Sequence, residues 1–242
     1  MLIYGYRVIG EEEVGLYPVG LIQISIYRGW AGGIDQMLKA VSTCRSLNLR
    51  YVIHPVGYFL SETRHNHRIE TMEAMRTIAR NVDVALIIHD ETTPWDTRLE
   101  GIYEEAYREA LLELSEICHV SIENANNTPD IMWFWRRFAT SITLDIGHVE
   151  AAGIDSERFV AELEADIIDK LSFIHLHRYN GPHDGLMDHW SLLEDCRELK
   201  ALKRLLDRKQ NIGVILEIND RENLGESLKL LERGVGNIQK GR

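Results

Sequence analysis

The residues able to do chemistry concentrate in one stretch, 171–190, which reads LSFIHLHRYNGPHDGLMDHW. Its first half alternates with a period of two, which puts His175 and His177 on one face of a strand and Ile174 and Leu176 on the other. Asn180-Gly181-Pro182 and Gly185 then mark a loop carrying His183, Asp184, Asp188 and His189. Imidazoles at a strand end, followed by a loop of further imidazoles and carboxylates, form the pattern of a metal site if other segments supply the remaining ligands. His54, His89, Glu123, Asp145, His175 and Glu217 each end an apolar run with strand character, and His148, three residues after Asp145, can lean over the same point. A lone histidine or aspartate at a strand end is ordinarily a hydrogen-bonded loop anchor. Six in register would repel or desolvate one another severely without a cation. His65, His67 and His119 read as structural or solvated.

The elements that must position these residues follow from periodicity. Strands are expected at 2–8, 21–27, 51–54 (stopped by Pro55), 82–89, 119–124, 141–146, the start of the focal stretch, and 212–218. Helices are expected at 34–47, 62–80, 98–117, 129–138, 156–170 behind an Asp155 N-cap, 191–209 and 221–233. About eight strands alternating with seven clear helices predict an α/β fold, a (β/α)8 TIM barrel forming a single domain over residues 1–242. Only about a dozen residues join the first two strands, so the first crossover should be short or degenerate. A doubly wound open sheet is the alternative, but no glycine-rich turn follows the first strand. In a barrel the polar strand ends converge on one axial pocket, while Ile122, Leu144, Ile174 and Leu216 face the helices.

The balance of charge, −11 over 242 residues with 45% hydrophobic content, indicates a soluble globular chain and argues against broad nucleic-acid binding. Cys44, Cys118 and Cys196 share no motif spacing and read as reduced thiols of a cytoplasmic protein. The start, MLIYGYRVIGEEE, lacks the basic region and apolar core of a signal peptide, and no apolar run suits a membrane helix. The run Met132–Phe138 reads as a core face or a subunit contact of a homodimer, in preference to a nucleic-acid stacking surface. Lys200, Lys203, Arg204, Arg208 and Lys209 form a solvated helix face, and Trp30, Trp95 and Trp190 follow strand ends where they could line a pocket mouth.

From His54 onward the segments VIHP, SIENANN, LDIGHVEAAG, FIHLH followed by DH, and ILEIND occur in an order that resembles the xylose isomerase-like TIM-barrel superfamily, which holds sugar isomerases and epimerases together with endonuclease IV. In the isomerase and epimerase branch, the resemblance implies that Glu123, Asp145, His175 and Glu217 bind one divalent metal, often manganese. Glu123 and Glu217 would exchange protons and His148 would touch substrate. In the endonuclease IV branch, three zinc ions would be held by His54, His89, Glu123, Asp145, His148, His175, Asp188 and Glu217. A further histidine of that branch falls on Trp190, with His189 one residue early, which puts the third metal in doubt. The leading expectation is therefore a divalent-metal-dependent isomerase or epimerase acting on a small sugar, sugar phosphate or related polyhydroxy compound through a metal-stabilised enediolate. His177, Arg178, His189 and Trp190 would line the substrate. The alternative is a multinuclear zinc phosphoesterase in which a metal-bound hydroxide attacks a phosphodiester, and this would account for His54 and His89. A coordinatively closed metal would instead mark a non-catalytic metal-binding protein.

Overall fold

Runs rich in valine, isoleucine and leucine pair side by side, all parallel, and close on themselves in chain order in the computed structural model, which describes residues 3–30, 32–181 and 189–239, with side chains to 234. The strands are β1 (Ile3–Val8), β2 (Leu21–Tyr27), β3 (Arg50–Val56), β4 (Leu86–His89), β5 (Val120–Glu123), β6 (Ile142–Asp145), β7 (Leu171–Leu176) and β8 (Gly213–Leu216). Around them lie α1 (Gly33–Ser46), α2 (His65–Ala79), α3 (Gly101–Ile117), α4 (Ile131–Phe138), α5 (Ile146–Ala151), α6 (Ser156–Glu162), α7 (Ala165–Lys170), α8 (Arg197–Arg208) and α9 (Arg221–Gln239). The (β/α)8 barrel expected from periodicity is the fold. Its first crossover is degenerate, a single 3-10 turn at Glu11–Glu13.

Several boundaries differ from expectation: α8 begins at Arg197 and not at 191, α9 reaches Gln239 and not 233, and α5 lies where no helix is expected. Strand β3 passes through Pro55, because the odd residues of β3 bond toward β4 and the β3–β4 pairing ends at Ile53 and Leu86, so the missing proline N–H falls where no ladder needs it. Strand β4 comprises only the last four residues of the apolar run VDVALIIH. The helix expected over 156–170 is two helices. The Arg208 guanidinium of α8 takes the carbonyls of Val160, Ala161 and Leu163, the groups a continuous helix would have used itself.

Outward strand residues such as Ile122, Leu144, Ile174 and Leu216 join the main core beneath the helices, as the alternation predicts. Inside the barrel a smaller apolar plug, Leu21, Val52, Ala85, Ile87, Phe173 and Ile215, fills the axis. Phe134, Trp135 and Phe138 of the aromatic run are buried, and Trp135 donates its Nε1–H to the Ile122 carbonyl at 3.1 Å, which ties α4 to β5. Among the described residues, no helix is long and apolar enough to cross a membrane.

Gly5 is where β1 comes closest to β2. A Cβ there would overlap the Leu21 carbonyl, a backbone group that cannot swing aside. Gly5→Ala is expected to cost about 2 kcal/mol or more. The check is a chemical denaturation midpoint, and an unchanged midpoint would mean that the two strands tolerate separation at this point.

Candidate metal centre

Strand register delivers the candidate ligands as two level pairs, His89 with Glu123 and Asp145 with His175, the second pair two residues beyond the first because Glu123 stands opposite Thr143. Glu123, Asp145 and His175 have no exposed surface, and His54 and Glu217 have almost none. His148 is carried back over the mouth by α5, whose N-cap is Asp145. The aspartate accepts the His148 amide N–H at 2.8 Å.

Glu123 faces two sets of potential ligands. On one side His54 Nε2 lies 3.1 Å from His89 Nε2 and 3.4 Å from Glu123 Oε2, and His89 Nε2 lies 3.8 Å from that same oxygen. On the other side Glu123 Oε1 is 3.1 Å from His175 Nδ1, which in turn is 3.7 Å from Glu217 Oε1. Asp145 completes a ligand-spaced group with Glu123 and His175. Two imidazoles on one tetrahedral zinc bring their nitrogens to about 3.3 Å, a spacing close to that of His54 and His89.

Tautomers support the same arrangement. His54 donates Nδ1–H to the Ile87 carbonyl (3.0 Å), His148 to that of Asn124 (2.9 Å) and His189 to that of Glu217 (2.9 Å). A carbonyl only accepts, so a neutral ring in each case keeps its lone pair on Nε2, as a metal ligand must. His177 is different. Its Nδ1 accepts the His189 amide N–H at 2.9 Å, which leaves its proton on Nε2, 3.1 Å from Asp145 Oδ1. His148, His177 and His189 form a third ligand-spaced group, yet His177 in this state has no lone pair to give and instead orients Asp145. Gly147 makes room for it, since a Cβ there would overlap the His177 ring. His189 holds a left-handed φ of 60°, a cost tolerated where a loop must aim a side chain.

A cation fits the chemistry of this donor set. Both oxygens of Glu123 and both ring nitrogens of His175 are buried without a hydrogen-bond partner among the described residues. The close approach of Oε1 to Nδ1 is not in hydrogen-bonding alignment. Burial would lower the His175 and His148 imidazoles, but the facing carboxylates raise both to about 9. Burial pushes His89 down to about 4. Burial would likewise raise the Glu123 carboxyl, yet His175 and His54 hold it below its ordinary value. The cluster thus draws positive charge onto imidazoles that a divalent ion could relieve.

Of the other residues singled out from sequence, Asp188 lies outside the described residues, as do His183 and Asp184. Arg178 is committed to its own loop, donating to the Ser191 carbonyl (3.0 Å) and to Asn180 (2.8 Å), with a backbone bridge to the partly exposed Trp190. Four residues escaped sequence reasoning. Arg7 on β1, almost fully buried, approaches Glu217 Oε2 at 3.7 Å and donates to Asn219, while Gln23 on β2 donates to Glu217 Oε1. Asn124 clasps the backbone of Asp145 in both directions. Asp90 accepts the amides of Ala125, Asn126 and Asn127 and fixes the turn after Glu123. The signal for Arg7 and Gln23 was present: each is a polar residue at an inward position of an apolar strand, where it needs a partner.

No known family pattern matches the sequence, and no curated protein matches it either. Solved structures do. A D-tagatose 3-epimerase-like protein is 15% identical with a TM-score of 0.73, each chain covered over 98% of its length. Endonuclease IV from Thermus thermophilus is 16% identical with a TM-score of 0.67, over 97% of this chain and 99% of that one. A xylose isomerase domain containing protein from Salmonella typhimurium is 13% identical with a TM-score of 0.63, over 98% and 97%. The fold is that of the xylose isomerase-like TIM barrels.

Arg7 supplies the buried counter-charge of Glu217, so Arg7→Met is expected to destabilise the metal-free protein by about 3–5 kcal/mol, the cost of stranding a buried charge. Arg7→Lys should recover part of that loss. Equal urea midpoints for wild type and Arg7→Met would remove Arg7 from this role.

Proposed function

We propose that this chain is a metal-dependent hydrolase of phosphoester bonds built around two divalent cations. His54, His89 and Glu123 would hold one, and Glu123, Asp145, His175 and Glu217 the other. The observation that carries the reading is Glu123 itself, with Oε2 turned to the His54–His89 pair and Oε1 to His175. Such a pair of cations, when bound, supplies the charge that neutralises phosphoryl oxygens and acidifies water. The chain's own part is to hold the ligand atoms rigid. Ile87 and Asn124 carbonyls fix two rings, His177 and Asn124 fix Asp145, and Arg7 with Gln23 fix Glu217. The endonuclease IV neighbour makes hydrolysis a chemistry this barrel is known to house.

The order of preference drawn from sequence is therefore reversed, because His54 and His89 converge as ligands of one ion would. The isomerase or epimerase reading keeps one observation in its favour. Glu123, Asp145, His175 and Glu217 suffice for a single ion, and two of the carboxylates flank one imidazole, as a proton-removing and proton-returning pair would. The D-tagatose 3-epimerase-like neighbour agrees with it. Against it, the oxygens of Glu217 are already engaged by Arg7 and Gln23, which suits a ligand better than a mobile base.

Metal content separates the two. Stripped protein reloaded with zinc or manganese is expected to take up two ions per chain, and His89→Ala only one. Hydrolysis of bis(p-nitrophenyl) phosphate should rise with the second equivalent and fall by about 100-fold or more in His89→Ala. One ion per chain in both proteins, with solvent deuterium entering a ketose, would restore the isomerase.

A further inference from the structure

Beside the metal centre, the loops after β3, β4 and β5 enclose a second space of about 650 Å3, the size of pockets that surround a drug-sized ligand and more than one monosaccharide ring fills. It lies on the side of His54, His89 and Glu123. Thr92 and Thr93 closely follow His89, and Asn126 follows Glu123.

The walls are preformed. Glu91, fully buried below them, accepts the amides of Leu60 (2.6 Å) and Ser61 (2.9 Å) and so pins the β3 loop. The β4 loop is closed by Thr93 donating to the Thr97 carbonyl (2.9 Å) and by Asp96, at a left-handed φ of 56°, donating to Thr93 (3.0 Å). The aromatic lining of the pocket is Phe59, 50% exposed, and Tyr103, and beside it the turn displays Trp95, 71% exposed and edge-on to Tyr103 with ring centroids 5.8 Å apart. Rigid loops that hold large ring faces out in water are a binding feature, since a free chain gains nothing by exposing them.

The lining also restricts what binds. Ser61, Thr93 and Asn126 contribute hydroxyl and amide groups to it. Arg64, the one basic residue in that lining, is spent on Glu62 through bonds of 3.0 and 2.6 Å, and Asp96 adds a negative charge. A phosphate would meet a neutral-to-acidic wall, whereas an uncharged ring with hydroxyl or amide edges would meet both stacking surfaces and hydrogen-bonding partners.

We infer that this pocket binds the uncharged, ring-bearing part of the substrate, a ring face edged with hydroxyl or amide groups of the kind a nucleoside or a glycoside presents, while the reacting group lies at the metal centre. The identity of that reacting group rests on the hydrolytic reading above. Ring recognition does not.

The test is binding to the metal-loaded full chain, followed by tryptophan emission and calorimetry, with adenosine, methyl β-D-glucopyranoside and inorganic phosphate as probes. One of the two neutral probes is expected to bind and shift the emission, and which one does so identifies the source of the ring. Phe59→Ala and Tyr103→Leu, at the two aromatic residues that line the pocket, should each weaken binding by about tenfold or more, with Trp95 left in place beside Tyr103 as the reporter. Glu123→Gln, which breaks the metal centre, should leave neutral-probe binding in place, so loss of hydrolysis alone indicts the metal reading and not the pocket. No binding by either neutral probe overturns the inference. So does binding unaffected by both aromatic substitutions, or phosphate binding that Arg64→Ala abolishes.

Discussion

Glu123, Asp145 and Glu217 are taken out of water at one level of the barrel, and each buried carboxylate costs several kcal/mol unless it is compensated. The three are compensated differently. Asp145 accepts from the His148 amide and from His177, and its backbone is held by Asn124. Glu217 has a guanidinium and a primary amide from β1 and β2. Glu123 faces the imidazoles of His54, His89, His148 and His175, and no described residue hydrogen-bonds its carboxylate oxygens. Two of the three carboxylates thus have hydrogen-bonding partners among the described residues, and the third, at the centre, does not. Closure of the sheet is what makes this arrangement reachable, because six strands contribute to one point and no open sheet would bring β1 beside β8.

Stability and function occupy different levels of the same barrel. The apolar plug of Leu21, Val52, Ala85, Ile87, Phe173 and Ile215 fills the axis, and the main core lies between sheet and helices. Alternation connects the levels. The parity that places Ile87 and Ile215 in the plug places His89 and Glu217, two residues further on, in the site. A ligand can therefore change without emptying the core, which is the property that lets one barrel carry unrelated reactions.

The same parity explains what was legible in the sequence. A histidine or carboxylate ending an apolar run announces both its strand and its direction, so the barrel and the convergence of these side chains on its axis could be read from His54 to Glu217. What could not be read depends on contacts between distant segments. Nothing in AELEADIIDK marks the break between α6 and α7, because Arg208, 45 to 48 residues beyond the carbonyls it takes, makes it. The extension of β3 past Pro55 depends on where β4 stops pairing. From sequence His177 is expected to line the substrate, and only its hydrogen bonds show that its proton faces Asp145. Arg7 and Gln23 show in the sequence as polar residues at inward strand positions, but that their partner is Glu217 appears only once β8 closes against β1.

The site is also lopsided, and that asymmetry bears on how substrate reaches it. Toward β6 and β7 its floor is closed, with Asp145, His175 and His177 fully buried and Gly147 packed against the His177 ring, while the His148 and His189 side chains above keep 17% and 16% exposure. Toward β4 it opens, and the His89 side chain is 21% exposed where those of His54 and Glu123 are 4% and 0%. The rings at the mouth are held through backbone carbonyls, His54 by Ile87, His148 by Asn124 and His189 by Glu217. The loops that continue from the open side are the ones that display Phe59 and Trp95. An approaching molecule would therefore meet the ring faces first, then His89, and only then the buried carboxylates. Selection by shape would come before contact with the reactive charge, so the loops after β3 and β4, more than the ligand set, are where related barrels can diverge in what they accept.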